Sequence, residues 1–482
     1  MNLTRRKLLA AATVTSSAAF LSGCRSLEQL ATPVEVDHDA AVSRPQLTTV
    51  DATRLLGRAG YGHRPGDRSA VRTIGLEGFV DRQLRPETIA EHPVLTFRLR
   101  SLSDQLPNDF GLLFEQDDHA LMGSLAQATL LRAVYSNRGL LERTTEFWAD
   151  HFNIYSYKGE RLPQYVVLFH LNILQPYALT TFRELLAATA HSAAILTYLD
   201  NETNRAGRPN ENYARELMEL HTLGIHGGYT QRDVQEVARC LTGWTVNQKF
   251  RPASFEFAAH MHDTGAKKVL GRAVIPNGQQ EMEGVLDTLA THPATSHHIA
   301  GKLLQRFRGD SQRDHREHVA SVFRKTDGDI RSTLRAVLVD CGVLDAPPIM
   351  KRPFDFVASA LRATDSDTDC GAGIISFLEK MGQPMFQWPR PDGFPDRSAS
   401  WANCLSARWQ FALNLAAGKL PNTSIPWKAL VTTGSNCEIT DHLFAAEDNA
   451  VDLQELRAAA AGRLTLEEFT SLGLMSPSFQ WR

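Results

Sequence analysis

The sequence predicts a mainly α fold: a large multi-helix globular body with a small β-hairpin insertion. Three observations predict it. Apolar residues recur at a spacing near 3.6 through 121–152 (Leu121, Leu125, Ala128, Leu131, Val134, Leu141, Phe147, Trp148) and again from Thr180 to Leu199 (Phe182, Leu185, Leu186, Ala193, Ile195, Leu196, Leu199). Thr230-Gln231-Arg232-Asp233 has the form of a helix-starting capping box, and Val234, Val237 and Leu241 then give one buried stripe. Strand signals are few: Ser254-Phe255-Glu256-Phe257 alternates, turn residues follow at Asp263 to Gly265, and Lys268-Val269-Leu270 offers a returning strand.

Taken in order, the chain opens with an address. Thr4-Arg5-Arg6-Lys7-Leu8-Leu9 has the form of a twin-arginine export signal. The apolar run from Leu8 to Leu21 contains Thr13, Thr15, Ser16 and Ser17, and it is shorter than the roughly 20 apolar residues of a spanning helix. Leu21-Ser22-Gly23-Cys24 is the form of a bacterial lipoprotein cleavage box, so residues 1–24 are expected to be a signal ending at a lipidated Cys24. Each buried CH₂ of an acyl chain contributes roughly 0.8 kcal/mol and one chain alone holds only marginally, so several chains on Cys24 are expected to keep the protein on the bilayer. Arg25 stands where an aspartate would mark inner-membrane retention, which points to a periplasm-facing outer-membrane location. Residues 25–48 are polar without a period and read as a flexible tether; 49–482 reads as a single helical domain.

Within that domain further helices are expected at 282–290, 294–308, 314–323, 329–339, 353–364, 373–381, 403–416 and 451–461. Pro384 to Trp401, with its prolines and tryptophans, reads as an ordered irregular loop, and 420–450 as a mobile insertion. Of 482 residues 43% are hydrophobic and 22% charged, with a net charge of −3 and no long basic run, which implies no nucleic-acid partner. Beyond Cys24, the cysteines at 240, 341, 370, 404 and 437 are far apart and form no C-x-x-C, so zinc and redox motifs are absent.

The polar text concentrates in three places. In Asn210 to Gly224, Asn212, Glu216 and Glu219 fall at i, i+4 and i+7 of a helix, and Glu211, Arg215 and Glu219 at i+4 steps. Two carboxylates one turn apart can share a metal or a proton; alternatively, Arg215 ties Glu211 and Glu219 together on a solvated or semi-buried face. An earlier helix carries Glu142, Glu146, Asp150 and His151 among Phe147, Trp148 and Phe152; burial at that aromatic density calls for a partner to an acid or to His151, or else this is a core helix with one solvated acidic face. His262 and Asp263, with Lys267 after them, sit at the expected hairpin turn, where such residues bind a metal, act as a base or hydrogen-bond the turn.

These motifs resemble the DUF1800 family of bacterial proteins of unknown function. The resemblance runs from about residue 50 to the end. It rests on Arg54-Leu55-Leu56-x-Arg58-Ala59-Gly60-Tyr61-Gly62, Phe147-Trp148-x-x-His151-Phe152, Pro209 to Leu220, Thr242-Gly243-Trp244, His262-Asp263-x-Gly265-x-Lys267, Met381-Gly382-Gln383-Pro384 and Met475-Ser476-Pro477-x-Phe479-Gln480. It implies an exported protein encoded beside DUF1501-type proteins. The family usually has an aromatic residue where His221 stands. No nucleophile elbow, P-loop or dinucleotide fingerprint accompanies these motifs. The expected function is a lipid-anchored envelope protein that binds a DUF1501-type protein or an envelope polymer. The alternative is a metal-assisted hydrolase-like enzyme. In that alternative Glu216, Glu219, His262 and Asp263 act on the substrate; Arg215, Lys267, Asn210 and Asn212 bind it; and Glu216, Glu219, His151 and His262 hold a divalent metal.

Overall fold

The computed structural model describes residues 47–107, 110–247, 254–431, 435–445, 448, 450–460 and 464–482. The signal, Cys24 and tether residues 25–46 lie outside the described residues. The fold is mainly α, and among the described residues the strands form three two-stranded antiparallel sheets. No described helix is long and apolar enough to cross a membrane.

The periodic run at 121–152 resolves into two helices, Asp118–Tyr135 and Gly139–His151. The Glu91 carboxylate holds the break between them, accepting from Ser136 Oγ and Asn137 N, both at 2.9 Å. The run at 180–199 divides likewise into Phe182–Ala190 and Ala193–Tyr198, because Ser192 leaves the first helix and caps the second through Ile195 N. Both halves of the Thr230–Asp233 capping box are present ahead of the Gln231–Cys240 helix. From residue 279 onward the expected helices stand within a few residues of their places: Gln279–Ala290, Pro293–Phe307, Arg313–Lys325, Ile330–Arg335 with a π turn to Asp340, Pro353–Ala363, Ala372–Lys380, Leu405–Ala416 and Val451–Ala460.

Two expectations are corrected. The single hairpin is two. Ser254–Phe257 pairs with Trp244–Asn247, in register Trp244 to Phe257, and Lys267–Val269 pairs with Arg272–Val274. Trp244 decides the first pairing: it is fully buried, its ring lies 4.9 Å from that of Phe255, and its carbonyl accepts from Asn201 Nδ2 at 2.8 Å. Leu270 and Gly271, with φ of 50° and 78°, decide the second, since two left-handed residues close a two-residue hairpin. Residues 420–450 are not an insertion. Leu430, Ile439, Leu443 and Phe444 are buried in the core, and the Asn436–Leu443 helix packs on Leu466–Met475; only 432–434, 446, 447 and 449 of this stretch lie outside the described residues.

The core has two main parts. One gathers side chains from the first 343 residues, including Leu55, Trp148, Phe182, Trp244 and Phe307. The other surrounds the Pro353–Ala363 helix, every residue of which is buried, with Phe411, Phe469 and Phe479 from the end of the chain. The Asp118–Tyr135 helix joins them: Leu121 and Leu125 face the first, Leu130 and Val134 the second. The chain ends pinned against residues 349–351, with Arg482 N donating to Ile349 O at 2.9 Å and Lys351 N to Gln480 O at 2.8 Å.

Candidate functional site

The Asn210–Thr222 segment is helical but not uniformly α. Asn212–Glu216 is α, and Leu217–Thr222 widens to a π turn whose Leu217 carbonyl accepts from Thr222 Oγ1 at 2.7 Å. Glu216 and Glu219 are brought close enough to repel. Burial first, and the Glu219 charge second, push Glu216 above the usual carboxylate range. Glu219 also accepts from the Tyr229 hydroxyl at 3.3 Å. Arg215 pairs with Glu211 at 3.0 Å and reaches Gln231 Oε1 at 3.0 Å, both half-exposed. Asn210 and Asn212 hold a turn: their amides donate to Asp200 O and Asp200 Oδ2, at 3.1 and 3.0 Å, and Asp200 has φ of 59°.

The histidine–aspartate motif is a lock between the second hairpin and the Gln279–Ala290 helix. Asp263 takes the Arg239 guanidinium at both oxygens, at 2.9 and 3.0 Å, and accepts from Gly265 N. The Arg239 pair holds it down at about 2. His262 is buried, with Nδ1 2.8 Å from Thr242 O and Nε2 3.3 Å from Glu281 Oε1. Lys267, also buried, donates to Glu281 Oε2 at 2.7 Å and to the carbonyls of Asp263 and Gly265. Gly243, at φ 80°, lets this turn close; a Cβ there would stand 2.7 Å from Ala258 O.

His151 belongs to a third environment. It is buried, and its Nε2 lies 3.0 Å from the carbonyl of His221, while His298 Nε2 meets Leu220 O at 3.0 Å. The two rings cap last-turn carbonyls of the π segment, which have no helical partner ahead of them. The His221 ring packs edge-on to Phe152 at 5.0 Å, and both of its nitrogens are without partners. In this position His221 does an aromatic's work. Burial drives all three below their usual value, His221 to about 3, His298 to about 4 and His151 well below it, with Lys302 adding its charge.

The residues named for the metal-assisted alternative thus sit in different electrostatic surroundings. Glu216 feels Glu219, Arg215 and Asp392, whereas Asp263 feels Arg239 and Lys267. His151 and His262 cap different elements. Among the described residues no three His, Cys, Asp or Glu side chains are grouped to hold a metal ion, so Glu216, Glu219, His151 and His262 do not converge on one.

The densest charge cluster is one the sequence does not spell. Arg306 contacts Asp150 at 2.5 Å, Asp396 at 2.6 Å and Glu146 at 3.6 Å; Arg352 contacts Asp150 at 2.7 Å. Next to them Asp355 pairs with Arg143 at 2.9 Å and Arg482 at 3.3 Å. All four guanidinium side chains are at most 3% exposed. Burial pushes Asp150 up, but Arg352 and Arg306 outweigh it and hold the carboxyl below its usual range. The aromatic density called for a partner to one acid or to His151, with a solvated acidic face as the other reading; Glu146 and Asp150 are instead largely buried against arginines, and nothing local named Arg306 and Arg352. The Pro384–Trp401 loop closes over this network. Asn153 Nδ2 donates to Trp388 O at 3.0 Å, and Gly393 passes so near Asp150 that a Cβ would stand 2.1 Å from its carbonyl oxygen.

A family model described as "Protein of unknown function (DUF1800)" matches residues 54–481. No curated protein and no solved structure matches the chain.

Proposed function

The chain belongs to the DUF1800 family, and from that premise we propose that it is an exported, lipid-anchored envelope protein that acts by binding. Its partner in this reading is a DUF1501-type protein or an envelope polymer. One observation carries the choice of binding over metal-assisted hydrolysis: of the charged motif residues, Asp263, His262, Lys267 and Arg215 are already held in ion pairs. Asp263 serves Arg239, Lys267 and His262 serve Glu281, and Arg215 serves Glu211. Networks satisfied in this way fix the register of helices and hairpins. Export and anchoring rest on Arg5-Arg6, the short apolar run and the Cys24 box.

Cell fractionation tests the anchor. Wild-type protein is expected in the membrane fraction and Cys24→Ala in the soluble envelope fraction, while Arg5→Lys with Arg6→Lys leaves precursor in the cytoplasm. A Cys24→Ala protein that remains with the membrane would defeat the lipid-anchor reading. Crosslinking in intact cells, followed by identification of what is held, tests the partner. Recovery of neither a DUF1501-type protein nor envelope polymer would defeat the binding reading.

A further inference from the structure

A cavity of about 430 Å³ opens where the Thr49–Ala59 helix, the Tyr61–His63 turn, the buried Pro353–Ala363 helix and the chain's last residues meet. That volume lies within the range of small-molecule sites, about 300–1,000 Å³. The walls are mostly apolar, with Leu443, Phe444, Phe479 and Trp481 among them. The charged lining is unequal: Arg54, Arg143, Lys351 and Arg482 stand against Asp355 and Asp448. Asp355 is already taken by Arg143 and Arg482.

Lys351 is the exception within this lining. It is only 8% exposed, yet among the described residues its ammonium has neither a hydrogen bond nor an ion pair; it lies 3.6 Å from the centre of the Phe479 ring. A buried cation without a carboxylate is costly unless something else meets it. Every other buried basic side chain of this region is answered: Arg143 by Asp355, Arg482 by Asp355, Arg408 by Gln480 and the Lys351 carbonyl.

We propose that this cavity binds an organic anion, with a carboxylate or phosphate head at Lys351 Nζ and an apolar body against Phe444, Phe479 and Trp481. The inference rests on the cavity alone and is independent of the export reading. Its pH behaviour follows from the surroundings. Burial brings Lys351 down to about 7, Asp355 opposes that, and Arg408 and Arg482 add to it. His63, also in the lining, is pushed by burial to about 3 and stays neutral above that, and burial raises the Tyr61 hydroxyl well above its usual value. An anion that needs charged Lys351 is therefore held less well above pH 7.

Calorimetric titration of the full chain purified from membranes, with matched detergent blanks, tests the site. The probes are 4-phenylbutyrate, 4-phenylbutyl phosphate, neutral 4-phenylbutanol and inorganic phosphate. Both organic anions are expected to bind one per chain, at least about tenfold more tightly than the alcohol, a margin within the reach of one charge-assisted contact. Lys351→Met, which keeps the volume, removes that preference, and Lys351→Arg keeps it. For wild type, 4-phenylbutyrate affinity falls about fivefold from pH 7 to pH 8, as the charged fraction of Lys351 drops. Absence of binding by either organic anion overturns the proposal, as does an unchanged preference in Lys351→Met or a flat pH profile in wild type. Inorganic phosphate binding as tightly as the organic anions would overturn the apolar half of it.

Discussion

At the scale of single residues, the Lys267–Glu281 pair shows what the charged motifs do. Both side chains are at most 2% exposed and 2.7 Å apart. Removing one member of a buried pair strands the other and costs roughly 3–5 kcal/mol, whereas replacing both with apolar groups is often close to neutral. Glu281→Leu and Lys267→Met are each expected to lose several kcal/mol in chemical denaturation. The double variant Lys267→Met with Glu281→Leu should lose less than the sum, with a coupling of about 2 kcal/mol. His262 limits the recovery, because its Nε2 faces the same carboxylate at 3.3 Å. Strict additivity would mean that the pair does not lock the hairpin to its helix.

At the scale of elements, the Gln231–Cys240 helix joins a local signal to a long-range one. Thr230 and Asp233 cap it reciprocally, and Asp233 Oδ1 also accepts from Leu270 N at 2.7 Å, in the turn of the second hairpin. Thr230→Ala is expected to cost about 1 kcal/mol, the usual worth of an N-cap. Asp233→Ala should cost about 1 kcal/mol more, since it also leaves the Leu270 amide without its acceptor. Equal losses in thermal melts of the two variants would show that the hairpin contact contributes nothing. The same helix marks what can be read from sequence. Its capping box and apolar stripe lie within a dozen residues, and helices set by such short-range periodicity stand where the spacing put them. Ser254–Phe257 was legible as a strand, but its partner was not. Trp244–Asn247 and Lys267–Val269 both suit a strand, and the choice depends on where Trp244 is buried and where Leu270-Gly271 turns back. The polar motifs were legible as clusters but not as separate structural locks, because Arg239, Glu281, Arg306 and Arg352 come from distant helices. The cavity around Lys351 is further still from local reading, since its walls come from both ends of the domain.

At the scale of the whole molecule, the buried histidines make the fold acid-sensitive. His63 and His221 are pushed by burial to about 3, His170 and His298 to about 4, and His151 well below its usual value. An unfolded chain protonates each near pH 6.5. The folded state favours the neutral rings, so their contribution is fully present above pH 6.5. As pH falls from there toward 4 the unfolded chain gains protons that the folded one refuses, and stability is lost at roughly 1.4 kcal/mol per pH unit for each ring. Domains are stable by only about 5–15 kcal/mol, so the loss from these rings together is expected to be a large fraction of the total as pH falls toward 4. Asp263, held near 2 by Arg239, adds its own loss only below about pH 4, after the histidines have acted. The unfolding temperature is therefore expected to fall steeply between pH 6.5 and 4.5. His221→Phe separates this cause from general acid damage. Phenylalanine keeps the contact with Phe152 and removes two ring nitrogens that have no partners. The variant should gain more stability over wild type at pH 5 than at pH 7.5, with a pH slope shallower by one proton. A variant whose slope matches wild type would show that His221 is not among the groups that set the acid limit.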